Sequence, residues 1–118
     1  MTTLVTGGAG FIGGHAIDEI VRRGEPVRAL VRQESQAEAL RQHGADVVVG
    51  DICDAAAVRR AVEGVQVVQH CAAAVGPSYT HEQVYDINLG GVRNVLDALK
   101  QAGRGRLVLV SSINVLGS

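Results

Sequence analysis

The sequence predicts an α/β fold, a doubly wound parallel sheet of five strands in the order 3-2-1-4-5. Two observations carry this. Five short β-branched runs are almost continuously apolar instead of alternating, as expected when helices cover both faces of a parallel sheet. Segments of helical periodicity fall between the runs and mostly stop at a glycine.

The elements follow in order. Thr3 to Thr6 reads as the first strand. Ile12, Ala16 and Ile20 then recur at i, i+4, i+8 with Ile17 and Val21 alongside, while Asp18, Glu19, Arg22 and Arg23 take the opposite side and Gly24 closes the helix. Val27 to Val31 is the second strand, followed by a helix from about Gln36 to His43 that stops at Gly44. Asp46 to Val49 is the third, and a helix from about Ala55 to Val62 follows, with Asp54 as N-cap and Gly64 as stop. Val65 to His70 is the fourth strand. The longest helical pattern runs from about Glu82 to Ala102, with Val84, Ile87, Val92, Val95, Leu99 and Ala102 as its apolar stripe and Gly103 at its end. Leu107 to Ser111 is the fifth strand. Right-handed crossovers order the first three strands 3-2-1 and bring the chain back to 4 and 5; ligands bind where that order reverses.

Composition narrows the function. The 118 residues make one domain, and 47% hydrophobic with 19% charged residues suits a globular core. Eleven basic and twelve acidic side chains leave a formal charge of −1, so there is no field to hold nucleic acid or an anionic membrane. Apolar runs such as Leu107 to Val110 fall far short of the ~20 residues that span a bilayer, and no signal-type stretch develops at the N-terminus; a cytoplasmic protein is expected. Cys53 and Cys71 form neither a disulfide framework nor a C-x-x-C motif, and with His70 and His81 they lack zinc-ligand spacing, so no metal is expected. Ser111 and Ser112 lack the G-x-S-x-G elbow of a hydrolase.

The chemistry sits first in Thr6-Gly7-Gly8-Ala9-Gly10-Phe11-Ile12-Gly13, directly after a strand and opening a helix. That setting is the one a dinucleotide fingerprint requires. Gly7 permits the tight turn, Gly10 lets backbone approach a pyrophosphate, and Gly13 lets helix and strand pack closely. The N–H groups of the helix start, at Phe11 and Ile12, would face the anion with the helix dipole behind them. The competing reading is an ordinary strand-to-helix turn.

The spacing T-G-x-x-G-x-x-G resembles the short-chain dehydrogenase/reductase superfamily, in particular the N-terminal Rossmann portion of its extended epimerase/dehydratase branch. Further segments carry the likeness: Gly50-Asp51-Ile52, His70-Cys71-Ala72-Ala73, Asn88 to Asn94 with Val92 in place of the usual Thr, and Ser111 to Gly117 with Leu116 where Tyr often sits. The resemblance implies a Rossmann fold that binds NAD(P). It also implies that Asp51 accepts the adenine N6 hydrogen beside the Ile52 backbone; Asp51 as a simple turn or capping acid stays open. Ala72 and Ala73 would lie beside the cofactor, or merely form a tight loop. Asn88 would tie the central helix to the fourth strand and help carry a relay water, or be a buried structural amide. Ser112 would be the catalytic polar partner of the substrate carbonyl, or a residue that simply ends a strand.

For the cofactor, Arg32 stands at the end of the second strand, where an acid would hold a ribose 2′-hydroxyl and an arginine a 2′-phosphate. NADP is expected, with NAD as the alternative in which Arg32 stacks on adenine or faces water. The family's Tyr-x-x-x-Lys pair is absent: the single lysine is Lys100, Leu96 lies four residues before it, and neither Tyr79 nor Tyr85 fills the role. A missing acid/base removes ~10²–10⁴ in rate. The chain is therefore expected to be the cofactor-binding part of a longer reductase, dehydrogenase or sugar-nucleotide epimerase or dehydratase, cut before its catalytic helix and substrate region. A non-catalytic NADP(H) sensor is the alternative. Small-molecule substrate, a bare fifth-strand edge, and homodimer pairing through the long fourth helix are further expectations of the resemblance.

Overall fold

Thr3–Thr6 (β1) lies at the centre of the sheet, paired in parallel with Val27–Val31 (β2) on one side and Val67–His70 (β4) on the other, in registers that start at Thr3↔Val27 and Thr3↔Val67. Asp46–Val49 (β3) adds outside β2 and Arg106–Leu109 (β5) outside β4, which gives the order β3-β2-β1-β4-β5. The computed structural model describes residues 1–72 and 79–110.

Successive side chains of a strand point to opposite faces, and here both faces are covered. Leu4 and Leu30 pack with Val58, Val68 and Val95 beneath Ala55–Val62 (α3) and Gly91–Ala102 (α5). Val5, Ala29 and Val31 pack with Ile17 and Ala37 beneath Phe11–Arg22 (α1) and Glu34–Gln42 (α2). Leu4 and Val5 are neighbours, and both are fully buried. That double burial, at about 1.5–3 kcal/mol per large apolar side chain, is why the strand sequences do not alternate.

Asp54 caps α3 as expected, its carboxylate accepting from the Ala56 and Ala57 amides at 3.0 and 3.4 Å. One helix face and three boundaries differ from the sequence reading. In α1 the buried line is Gly13, Ile17 and Ile20, with Ile12 exposed, because the close contact of Gly13 with the preceding loop sets the helix rotation. α2 starts at Glu34, earlier than the apolar pattern suggests, with Gln36 Oε1 accepting from the Gln33 amide at 3.2 Å. Val65 is buried but turns ahead of β4, its amide donating to the Val62 carbonyl at 2.9 Å; burial alone does not separate a strand from a turn. The fifth strand begins at Arg106, and Ser111 lies outside the described residues.

The long helix is helical from His81–Tyr85 (α4) to the end of α5, but Asp86–Gly90 between them form a π-helical segment. The wider turn shifts the phase, so Val95 and Leu99 are buried, Val84 and Ile87 only partly, and Ala102 is exposed. Along β5, Val108 and Leu109 are exposed. Among the described residues, no helix is long and apolar enough to cross a membrane.

Candidate cofactor site

The carboxyl ends of β1 to β4 converge where the strand order reverses, and the loop after β1 makes the floor there. Gly7 has φ +67°, and a Cβ on it would lie 2.9 Å from the Ala72 nitrogen and Cα. Only glycine meets both demands. The Gly10 amide donates to the Gly7 carbonyl at 2.9 Å and the Gly14 amide to the Gly10 carbonyl at 2.8 Å, so the loop runs directly into α1. A Cβ on Gly13 would overlap the Gly7 carbonyl oxygen. Gly13 thus acts by close packing, away from the cleft wall.

The helix that starts here differs from its neighbours. α3 and α4 begin with side-chain caps from Asp54 and Thr80, whereas α1 has Gly10 at its N-cap, no side-chain cap and no acid in its first turn. Its first N–H groups are left for an external acceptor, with the positive end of the helix dipole behind them. The side chains of Phe11 and Ile12 take no part in this. Phe11 is 82% exposed and packs edge-on against the His15 ring, and Ile12 is 55% exposed. What these two residues can offer a ligand is backbone.

A cleft of about 400 Å³ opens above the floor, and Gly7, Gly10, Arg32, Asp51, Ile52 and Ala72 line it together. Asp51 is partly engaged in a local turn, its Oδ1 accepting from the Cys53 amide at 2.9 Å. Ile52 is buried, and its carbonyl accepts from Asn94 Nδ2 of α5 at 2.8 Å. Gly91 allows this approach, since a Cβ there would stand 3.0 Å from Ile52 Cγ1. Arg32 is exposed at the cleft and makes no hydrogen bond or ion pair among the described residues. Glu34, the nearest acid after β2, is held by Arg41 at 2.5 Å. Asn88 lies in the π-helical segment, half-buried and off the cleft wall. Ala73 and Ser112 lie outside the described residues.

Below the cleft, Thr6 Oγ1 is a hub. It accepts from the amides of Cys71 and Ala72, each at 3.1 Å, and lies 2.8 Å from His70 Nδ1. Burial pushes the His70 pKa down and the Cys71 thiol up. Burial, with Asp51 adding to it, also raises the Cys53 thiol.

A family model described as NAD(P)H-binding matches residues 7–118. The chain belongs to that NAD(P)H-binding family. Within it, the chain falls in the extended short-chain dehydrogenase/reductase superfamily, and its sheet order and glycine loop are those of a Rossmann fold. A sterol demethylase protein B of Methylococcus capsulatus is 36% identical over 99% of the chain. A short-chain dehydrogenase/reductase superfamily protein of Agrobacterium tumefaciens with bound NAD superposes with a TM-score of 0.84 at 30% identity, covering 99% of this chain and 34% of the other. UDP-glucose 4-epimerase of Thermus thermophilus in complex with NAD gives 0.81 at 32% identity, covering 95% and 38%. The chain spans about a third of the length of the curated relatives it matches. It is an NAD(P)-binding domain of this superfamily.

Thr6, His70, Gly91 and Asn94 of this NAD(P)-binding domain stand within its sequence motifs, and the sequence alone does not show the work they do. The signal for Asn94 was present, as a polar amide between apolar residues Val92 and Val95 of an amphipathic helix. Its partner, a loop carbonyl 42 positions earlier, appears only once the chain is folded.

Proposed function

We propose that this domain binds NADP(H) in preference to NAD(H), and that Arg32 makes the distinction. The observation that carries the reading is a guanidinium at the cleft that has no partner among the described residues, beside a second-strand end whose nearest acid, Glu34, is already tied to Arg41. A 2′-phosphate gains charge-assisted hydrogen bonds there, worth roughly 1.5–3 kcal/mol, whereas the acid that follows β2, Glu34, is already engaged and does not line the cleft to select a 2′-hydroxyl.

The residues fit a dinucleotide. Gly7 and Gly10 line the cleft with backbone alone, and the uncapped start of α1 presents the Phe11 and Ile12 amides to the pyrophosphate. Asp51 and the Ile52 backbone hold the adenine edge, with Ala72 along the cofactor's far side and Asn88 behind the wall. When bound, the coenzyme supplies hydride chemistry at its nicotinamide ring. Ser112 positions a small-molecule substrate carbonyl in the whole protein, a dehydrogenase, reductase or epimerase. With no Tyr-x-x-x-Lys pair in its sequence, the 118-residue chain binds coenzyme without turning substrate over.

Calorimetric titration of the wild type and Arg32→Ala with NADP and NAD tests this. The substitution is expected to weaken NADP by about one to two orders of magnitude and to leave NAD nearly unchanged. Equal discrimination by the two proteins would sink the assignment.

A further inference from the structure

We propose that His70 is a positioning residue of the coenzyme cleft, held as the neutral Nε2–H tautomer, where it takes the Thr6 hydroxyl proton and frees both Thr6 lone pairs for the loop after β4. The proposal rests on the coenzyme reading above for its functional half, and on hydrogen-bond counting for its structural half.

A hydroxyl has one proton and two lone pairs. Thr6 is fully buried, so no water takes up the difference. The Cys71 and Ala72 amides can only donate, and both reach Thr6 Oγ1. Its lone pairs are therefore occupied, and the 2.8 Å contact with His70 Nδ1 must be one in which Thr6 donates. Nδ1 is then the unprotonated nitrogen, and the ring proton sits on Nε2. The opposite tautomer, or the doubly protonated ring, would aim a third donor at an oxygen with two lone pairs and strand the hydroxyl proton in the core.

No group among the described residues competes with this count at Nε2, and burial agrees with a neutral ring. Nε2 is buried and has no hydrogen-bond partner among the described residues, so the tautomer is dictated at Nδ1 rather than by any acceptor seen at Nε2. Burial of the ring, 2% exposed, also disfavours its charged form.

The consequence falls on the cofactor floor. Thr6 fastens the Ala72 amide, and the Ala72 backbone is the surface against which Gly7 makes its closest approach. His70 therefore acts through Thr6 on the separation of the β1 and β4 exit loops, without itself lining the cleft. On the other side its ring lies under Gly91, with Cε1 3.8 Å from where a Cβ would be.

The test uses wild type, His70→Asn and His70→Leu. Asparagine offers a carbonyl oxygen close to where Nδ1 stood; leucine fills the space but accepts nothing. His70→Asn is expected to bind NADP within about threefold of wild type, and His70→Leu about three- to tenfold more weakly than His70→Asn, while the thermal midpoints of the two variants stay close. A merely structural role would instead move binding and midpoint together. In parallel, ¹⁵N spectra of the wild type are expected to show an unprotonated Nδ1 and a protonated Nε2. A protonated Nδ1 overturns the tautomer. Wild-type affinity in His70→Leu overturns the positioning role alone, and failure of wild type to bind any nicotinamide coenzyme overturns the coenzyme reading and the role that depends on it.

Discussion

Arg28 and Arg32 stand at opposite ends of β2, and the fold uses them in opposite ways. Arg28, with a side chain only 20% exposed, donates from Nε to Asp46 at 2.9 Å and from Nη1 to the carbonyls of Ala61 and Glu63 at 2.7 Å each. It joins β2, β3 and the end of α3. Arg32 has no such partner among the described residues. The same contrast runs across the sheet. Where the strands begin, the Thr2 amide is taken by Gln66 Oε1 at 2.7 Å; where they end, α1 starts without a cap. Donors satisfied within the chain hold the fold, and donors left unpaired at a cleft are available to a ligand at no cost of breaking an existing bond.

Four experiments press on that contrast. The largest effect is expected from Gly13→Ala. A methyl group forced against the Gly7 carbonyl has backbone for a neighbour and nowhere to move, so the substitution should cost about 3 kcal/mol or more and abolish coenzyme binding; chemical denaturation with titration checks both. Normal binding by a stable Gly13→Ala protein would show that the loop is not built as described.

Arg28→Ala comes next. Losing a cation that serves three acceptors should destabilise the domain by about 1.5–3 kcal/mol while leaving the NADP-to-NAD preference intact. It is the mirror image of Arg32→Ala, which should leave stability within about 0.5 kcal/mol and change only the preference. Similar behaviour of the two variants in both measurements would erase the distinction between the ends of the strand.

Asn94→Ala removes the donor to the Ile52 carbonyl and leaves that oxygen buried without its partner, a loss of about 1–2 kcal/mol. Because the Ile52 loop lines the cleft, affinity for coenzyme should fall as well, and titration reads the second effect separately from a melt.

The smallest effect is on pH dependence. The His70 pKa is below the ordinary histidine value of 6.5 in the folded chain, so acid favours the unfolded form, which takes up the proton more readily. The associated stability is present above pH 6.5 and is lost as pH falls toward the lowered folded value. Comparing melting temperatures of wild type and His70→Asn across that range isolates the His70 contribution. Parallel curves would mean that His70 does not titrate as its burial requires.

Much of this was legible in the residues. The apolar runs, the glycine stops and the Asp54 cap act over a few neighbouring positions, and each was placed in the chain with small errors at the ends. The errors have physical causes. Val65 is apolar and buried yet turns, because burial is not a backbone conformation. The π-helical segment at Asp86–Gly90 left no mark in a stripe read at a constant period. For the site, Gly7, Gly10, Asp51, Ile52 and Ala72 are legible in motifs and Arg32 in its place at the end of the second strand, and all six line one cleft. Phe11 and Ile12 have exposed side chains that do not line it, and Gly13 acts through packing.

The sequence by itself determined the order of elements, the fold class and the family, since these rest on local periodicity and on glycines at set spacings. Tertiary structure alone decided which polar groups are spent and which remain. That Arg28 is occupied while Arg32 has no partner among the described residues, that Thr6 gives its proton to His70, and that Asn94 holds the Ile52 carbonyl depend on groups 18 to 64 positions apart in the chain. Hydrogen bonds saturate a fixed number of donors and lone pairs, and which ones are left over is known only when every strand has found its neighbour.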